Sequence, residues 1–351
     1  MTTVDVIALA RANVRALKPY HSMRQELDIE GYVLLDNNES CYALGTTALN
    51  RYPDPMQRRL KATLADKKGV AVSNIALGNG SDELIELLMR GYCEPGQDSI
   101  LTFPPTFGMY GVGAVANGVE NIRVPLTATF QLPVADGLAA VNHTTKLAFI
   151  CTPNNPTANA IAKEDILAFL DGFNGLVLID ETYIDFCPEK SFLPLLGQYP
   201  NLVVLQTFSK GSGLAALRLG VAYAHPDVIA ILDKIRMPYN INALSAAAVT
   251  EALTQQEAIA HNIGRILKSR VLLTIALAKL PVVAHIFPSD ANFLLVQVTD
   301  APAVHAHLLA HKILVSDRSR ETGCTNCLRI SVGTDSENQQ LLAALATFTS
   351  A

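Results

Sequence analysis

The sequence predicts an α/β fold: a mostly parallel central sheet with helices on both faces, followed by a smaller α+β unit. Three observations carry this. Short apolar runs without polar alternation recur between residues 99 and 224, as strands buried on both faces require. Helical patterns separate them, the order that produces parallel strands. After about Pro238 that rhythm stops, and a long helical stretch leads into strands and helices in no repeating order.

The elements follow in chain order. The stretch ending at Tyr20 sets Val4, Ile7, Ala8, Val14 and Leu17 at helical spacing, with Arg11 and Arg15 between them. It reads as a helix and lacks the apolar block and cleavage site of a signal peptide. Helices are expected at Gln57–Lys67, Asp82–Tyr92 and Lys163–Gly172. Strands are expected at Ser99–Phe103, Asn121–Val124, Leu147–Cys151, Gly175–Ile179, Leu202–Thr207 and Gly220–Ala224. One continuous helical stretch is expected from Ala243 to Lys279, then strands at Val282–Phe287 and Phe293–Val298. A helix at Ala301–His311, strands at Ile313–Asp317 and Cys327–Val332, and a last helix from about Ser336 to Phe348 complete the reading. The expected organisation is a segment 1–35 packing with the small domain, a large domain over 36–240 and a small α+β domain over 241–351.

Composition narrows the function. Of the 351 residues, 50% are hydrophobic and 17% charged, which suits a compact globular chain and not a disordered one. A formal net charge of -5 without a basic block argues against a nucleic-acid partner. No apolar run approaches the ~18 residues of a membrane span. The six cysteines are scattered, as in a reduced, cytoplasmic protein. Cys324-Thr-Asn-Cys327 is a lone C-x-x-C, and His305, His307 and His311 have no carboxylate on their face, so no metal site is expected. Gly111-Val-Gly-Ala-Val-Ala116 fits a dinucleotide fingerprint only on paper, because no strand directly precedes it.

Three polar residues stand just past the ends of apolar runs: Asn155, Asp180 and Lys210. Singly, each has a plain explanation as a turn residue, a helix cap or a solvated lysine. Together they deliver an amide, a carboxylate and an amine to the carboxyl edge of a parallel sheet, where open α/β folds bind ligands. A lysine near other cations or in a dry pocket loses its proton and becomes a nucleophile towards an aldehyde. Pyridoxal 5′-phosphate needs such a lysine, and a carboxylate that keeps its ring nitrogen protonated. Lys210 and Asp180 fit these parts, and Tyr183 and Asn155 fit the phenolic oxygen of the ring. The phosphate finds Gly78-Asn-Gly-Ser-Asp82 at a helix start, where the N–H groups of Gly80, Ser81 and Asp82 face an anion. Ser209 and the fork of Arg218 complete the set.

These residues sit in segments that resemble the fold-type I aminotransferases, and within them the histidinol-phosphate aminotransferase family. The likeness runs nearly end to end, through Leu-Lys-Pro-Tyr20, Arg51-Tyr-Pro-Asp-Pro55, Gly78-Asn-Gly-Ser-Asp82, Pro105-Thr-Phe-Gly-Met-Tyr110, Asn154-Asn-Pro-Thr157, Thr207-Phe-Ser-Lys210 and Leu328-Arg-Ile-Ser-Val-Gly333. The resemblance implies that Phe107 stacks on the cofactor ring. It implies a homodimer in which Tyr52 reaches the neighbouring subunit's cofactor phosphate. It also implies that Arg329 binds the substrate carboxylate or phosphate, with Tyr20 and Asn38 nearby. The implied reaction moves an amino group between histidinol phosphate and 2-oxoglutarate in histidine biosynthesis. An aromatic aminotransferase and a phospho-amino-acid decarboxylase are the rivals that keep the cofactor; a regulator that has lost catalysis is a third.

The chain departs from the family at Ala158 (usually glycine), at Thr182 (usually alanine), and at Gly211-Ser-Gly213 after the lysine (commonly Ala-Phe-Gly). Ser316 stands where a second phosphate-binding arginine is frequent, and Arg318 or Arg320 is the candidate replacement.

Overall fold

The computed structural model describes residues 4–20, 22–27, 29, 31–45 and 49–349. Its centre is a seven-stranded sheet built from β1 (Ile75–Asn79), β2 (Ser99–Thr102), β3 (Glu120–Arg123), β4 (Thr145–Cys151), β5 (Leu176–Asp180), β6 (Leu202–Thr207) and β7 (Leu219–Ala224). The strand order is β1-β7-β6-β5-β4-β2-β3. Only β7 runs against its neighbours, so the sheet is mostly parallel, as the apolar runs require.

The period of two along each strand divides the core between two faces. Leu147, Phe149, Leu176, Leu178, Val203 and Leu205 meet the helices Ser81–Tyr92 and Pro226–Ile235 on one face. Ala148, Ile150, Val177, Ile179, Leu202 and Val204 meet the helices Arg58–Lys68 and Lys163–Gly172 on the other. Each of these larger side chains contributes roughly 1.5–3 kcal/mol by leaving water. The same alternation places Asp180 on the face of Leu176 and Leu178, toward the helix Ser81–Tyr92.

A second, antiparallel sheet contains β8 (Val283–Ile286), β9 (Phe293–Val298), β10 (Ser316–Asp317) and β11 (Cys327–Ser331), in the order β10-β11-β9-β8. Leu273 and Leu277 of the helix Gln256–Leu277, Val304 and Leu308 of the helix Ala301–Ala310, and Leu341 and Leu345 of the helix Asp335–Ala346 pack on it around Leu294, Val296 and Leu328. Tyr183, Phe186 and Ala158 of the large unit join Ala291 and Phe293 in a smaller core between the two sheets.

Several expectations need correction. β1 was not expected; it forms because Ala76, Leu77 and Gly78 pair with Ala222, Val221 and Gly220. The helical stretch 243–279 is two helices, Ala243–Ala252 and Gln256–Leu277, interrupted at Leu253–Gln255. The first belongs with the large unit, since Ile241, Val249 and Leu253 lie in the core around Leu60 and Leu64. The N-terminal segment forms two short helices, Val6–Leu9 and Ala12–Ala16. It packs on the large unit and not the small one: Val6, Ala10 and Val14 share a core with Val228 and Leu232. Arg11 pairs with Glu94 at 2.9 Å, and Lys234 donates to the carbonyl of Arg15 at 2.6 Å. The first three residues of that expected helix lie outside the described ones. Among the described residues, no helix is long and apolar enough to cross a membrane. The Cys324/Cys327 pair is buried beside Phe130 and Leu295, with both thiols free.

Candidate active site

Asp180 is the last residue of β5, Lys210 follows β6 by three residues and Asn155 follows β4 by four. The register aligns Cys151 with Asp180 and Asp180 with Leu205, so the three segments leave the sheet side by side at its carboxyl edge. The loop Phe208–Gly213 carries Lys210; its start is fixed by Thr207, whose Oγ1 accepts the Ser209 N–H at 3.2 Å and donates to Ser209 Oγ at 3.1 Å. The turn after β4 is held by Asn154, whose Nδ2 donates to the Pro105 carbonyl and to Thr157 Oγ1, both at 2.8 Å.

The Asp180 carboxylate is buried, with an exposure of 2%. Tyr110 Oη donates to its Oδ2 at 2.7 Å, the Thr182 N–H donates to Oδ1 at 3.0 Å, and the Thr182 hydroxyl also donates to Oδ1. Burial raises its pKa, and the Thr182 and Tyr110 donors oppose that rise. Tyr110 itself lies fully inside, stacked on Phe149 at 4.9 Å and edge-on to Phe107 at 5.5 Å. Tyr110 escaped the sequence reading because its partner lies 70 positions away. Thr182 entered only as a departure from the family.

The Lys210 ammonium sits 5.5 Å from the centroid of the Tyr183 ring. Burial lowers its pKa first, and the guanidiniums of Arg329 and Arg218 lower it further against the pull of Asp180. That is the condition under which a lysine offers a free amine. Tyr183 is buried, packed edge-on against Phe293 at 5.0 Å, and burial pushes its phenol up.

The anion cradle forms where β1 turns into the helix Ser81–Tyr92. Gly80 has φ +81°, and no side chain caps the helix start, so its first N–H groups have no capping acceptor. A Cβ on Gly80 would lie 2.4 Å from Arg218 Nη2, and one on Gly220 would lie 2.4 Å from the Ser81 nitrogen. Two backbone segments, Gly80–Ser81 and Arg218–Gly220, therefore crowd together around the Arg218 guanidinium. Arg218 is itself left-handed (φ 51°), an uncommon conformation for a non-glycine residue, and Asp82 pairs with it at 3.2 Å.

On the small sheet, Arg329 of β11 faces this cluster. Its Nη1 donates to Asn155 Oδ1 and its guanidinium lies 5.6 Å from the Phe293 centroid. Arg318 follows β10 and lies close enough to lower the pKa of Arg329 after burial has done so. Its Nη1 pairs with Glu321 at 2.8 Å, and its Nε is buried with no acceptor. Arg320 instead lines a cavity of about 740 Å³ with Phe107, Tyr110 and Arg123. A cavity of about 840 Å³ between Lys68, Asp185 and Gln206 holds none of these cluster residues.

Not every expected site residue joins the cluster. Tyr52 stacks on Tyr239 at 4.7 Å and its backbone N–H donates to Glu39. Tyr20 and Asn38 are exposed. Among the described residues, no hydrogen bond, ion pair or ring contact links these three to Lys210 or Asp180.

A family model described as "Aminotransferase class I and II" matches residues 9–345. A histidinol-phosphate aminotransferase from Cytophaga hutchinsonii is 47% identical over 342 residues, spanning 97% of this chain and 98% of that one. This chain belongs to the histidinol-phosphate aminotransferase family. A second such relative, from Bacteroides fragilis, is 45% identical over 341 residues, again 97% of this chain and 98% of the relative. Among solved structures, the histidinol-phosphate aminotransferase of Sinorhizobium meliloti in complex with pyridoxal 5′-phosphate aligns with a TM-score of 0.78 at 27% identity. That alignment covers 84% of this chain and 82% of the other. The cofactor of the family is pyridoxal 5′-phosphate, and the site fits it. The cradle at Gly80 suits the phosphate, the buried Asp180 suits a ring nitrogen, and the Lys210 amine with its lowered pKa suits the aldehyde.

Proposed function

We propose that the chain transfers an amino group between histidinol phosphate and 2-oxoglutarate, giving imidazole acetol phosphate and glutamate, with Lys210 as the catalytic lysine. The observation that carries this reading is the placement of Lys210 among Asp180 and Arg329, whose charges both act on its amine, beside an uncapped helix start. When bound, pyridoxal phosphate supplies an aldehyde for an amine and a ring that accepts the electron pair left on the substrate carbon.

The chain's own residues do the rest. Gly80, Ser81, Asp82, Ser209 and Arg218 hold the phosphate through N–H groups, a hydroxyl and a cationic fork. Asp180 keeps a proton at the ring nitrogen. Tyr183 and the Asn155 amide, whose Oδ1 is engaged by Arg329, present N–H and O–H donors to the phenolic oxygen. Phe107 would cover one ring face. Lys210 would hold the cofactor through its aldehyde, and its amine, with the pKa lowered by burial and nearby cations, would be the base that takes up and returns the proton of the substrate carbon. Arg329 holds the glutamate carboxylate or the histidinol phosphate group, and Arg318 adds the second cation that Ser316 does not supply. The Arg318 Nε without an acceptor supports that role.

The protein works as a homodimer, with Tyr52 of each chain completing the partner's phosphate site. Supporting this, Tyr32, Val33, Leu35, Tyr42 and Leu44 stand exposed in the segment around Tyr20, Asn38 and Tyr52. Six free thiols accord with a cytoplasmic setting.

The test is a half-reaction screen. Cofactor-loaded protein is mixed separately with histidinol phosphate, glutamate and phenylalanine while visible absorbance is followed. Histidinol phosphate and glutamate should each discharge the band. A response to phenylalanine alone would favour an aromatic aminotransferase, and carbon dioxide release would favour a decarboxylase.

A further inference from the structure

The Asp180 carboxylate has more partners than a ring-nitrogen contact requires, and their arrangement is informative. A carboxylate offers about four lone-pair positions, two per oxygen. Thr182 fills both on Oδ1, with its backbone N–H at 3.0 Å and its hydroxyl. Tyr110 fills one on Oδ2 at 2.7 Å. We propose that Tyr110 and Thr182 are positioning residues that clamp Asp180, leaving a single lone pair on Oδ2 for the ring nitrogen of the bound cofactor. The proposal rests on the reading of Asp180 given above and deepens it.

The clamp does two things. It fixes which oxygen, and therefore which direction, meets the ring, because two hydrogen bonds on one oxygen and one on the other prevent the carboxylate from rotating. It also tunes proton affinity, since donors to a carboxylate favour its ionised form. With the clamp intact the shared proton stays on the ring nitrogen, where it makes the ring an electron sink. Without it the buried acid recovers affinity for the proton and draws it away. Burial alone drives Asp180 toward that neutral form.

The other groups facing Asp180 do not duplicate the clamp. Cys151, its register partner on β4, donates its thiol to the Pro153 carbonyl at 3.4 Å. Asp82 at the helix start raises the proton affinity of Asp180 by repulsion. Asp180 acts on Lys210 and Tyr183 through its charge, and no hydrogen bond joins it to either among the described residues. Tyr110 can only donate here, because burial beside Asp180 holds its phenol far above its ordinary range.

The test uses cofactor-loaded Thr182→Ala, Thr182→Ser, Tyr110→Phe and Asp180→Ala, each titrated with pH while the visible absorbance is recorded. Loss of a donor moves the proton from ring to acid, the ring loses positive charge, and the titrating group beside it holds its proton to higher pH. Thr182→Ala and Tyr110→Phe should each raise the midpoint by roughly half a unit. Thr182→Ser should restore it, and cofactor affinity should fall in Tyr110→Phe. Unchanged midpoints in both donor variants, with Asp180→Ala still altering the spectrum, would overturn the clamp alone. An unaltered spectrum in Asp180→Ala would overturn the reading of Asp180 itself. Thr182→Ala removes one partly exposed hydroxyl and keeps its N–H, so it serves even if Tyr110→Phe fails to fold.

Discussion

Arg329, on the small sheet, donates an Nη1 hydrogen bond to Oδ1 of Asn155, in the turn after β4 of the large sheet. One contact thus ties Arg329 on the small sheet to the turn that carries Asn155 on the large one. It orients the Asn155 amide, and it places a positive charge where it disfavours the charged form of the lysine. Arg329, the proposed substrate-binding arginine, is therefore also an electrostatic neighbour of Lys210.

Arg329→Gln should act on both counts. Removing a nearby cation favours the charged amine, so the Lys210 pKa moves up toward its ordinary 10.5. The rate at which cofactor-free protein captures pyridoxal phosphate rises as Lys210 loses its proton. Its midpoint should shift to higher pH in the variant, and KM for glutamate should rise about tenfold or more, as for a lost charged hydrogen bond. A midpoint unchanged in Arg329→Gln would dissociate the two residues.

Gly80→Ala should weaken cofactor binding more than it weakens the fold. The added Cβ meets Arg218 Nη2 at 2.4 Å, and φ +81° is disfavoured for alanine at a cost of about 1–3 kcal/mol. Arg218 must move off the cradle, so the cofactor Kd should rise at least about tenfold, equivalent to about 1.4 kcal/mol. Arg218→Lys keeps the charge but loses the fork, and should show a comparable loss without the strain. Equilibrium dialysis and thermal melts separate the two effects.

Arg24 is a buried cation, 1% exposed, whose guanidinium pairs with Asp36 at 2.5 Å and Glu39 at 2.8 Å. Its hydrogen bonds hold Glu39 at about 2 against an ordinary 4.5, helped by the Tyr52 N–H and Arg51. A depressed folded-state pKa gives stability that is complete above the unfolded value and lost as pH falls through the folded one. Acid unfolding between pH 4.5 and about 2 should therefore carry a Glu39 component. Arg24→Met should reduce that component and lower stability at neutral pH, because Glu39 then keeps only Arg51 and the Tyr52 N–H. Urea unfolding across that pH range measures both.

Tyr52→Ala and Lys210→Ala variants should each be nearly inactive, yet a mixture dissociated and reassociated should regain activity. In the proposed dimer, a mixed pair would carry one site with both an intact lysine and the partner's tyrosine. No recovery on mixing would show that the site is not shared across an interface.

Much of this architecture is legible in the chain because burial leaves a plain mark. The uninterrupted run Leu202–Thr207 is β6 to the residue, and Lys163–Gly172 is a helix with Glu164 and Asp165 in its first turn. β1 is not legible, since Ile75-Ala-Leu-Gly-Asn79 has weak strand formers and owes its conformation to pairing with β7. The break at Leu253–Gln255 carries no proline or glycine; Leu253 is drawn into the large core while Leu273 and Leu277 are drawn into the small one. At the site, residues that leave a strand end are readable from sequence, and the strands β4, β5 and β6 that lead to Asn155, Asp180 and Lys210 are neighbours in the sheet. Tyr110 is not readable, because only the fold brings its hydroxyl across the sheet edge to Asp180.

The proposed chemistry depends on Lys210 being the residue to which the cofactor is bonded. Borohydride reduction of cofactor-loaded protein fixes the cofactor to its lysine, and peptide mass mapping then locates it. The expected result is one pyridoxyl tag per chain, on the peptide containing Thr207-Phe-Ser-Lys210, and none in Lys210→Ala. A tag on any other lysine, or an untagged chain that still transaminates, would contradict it.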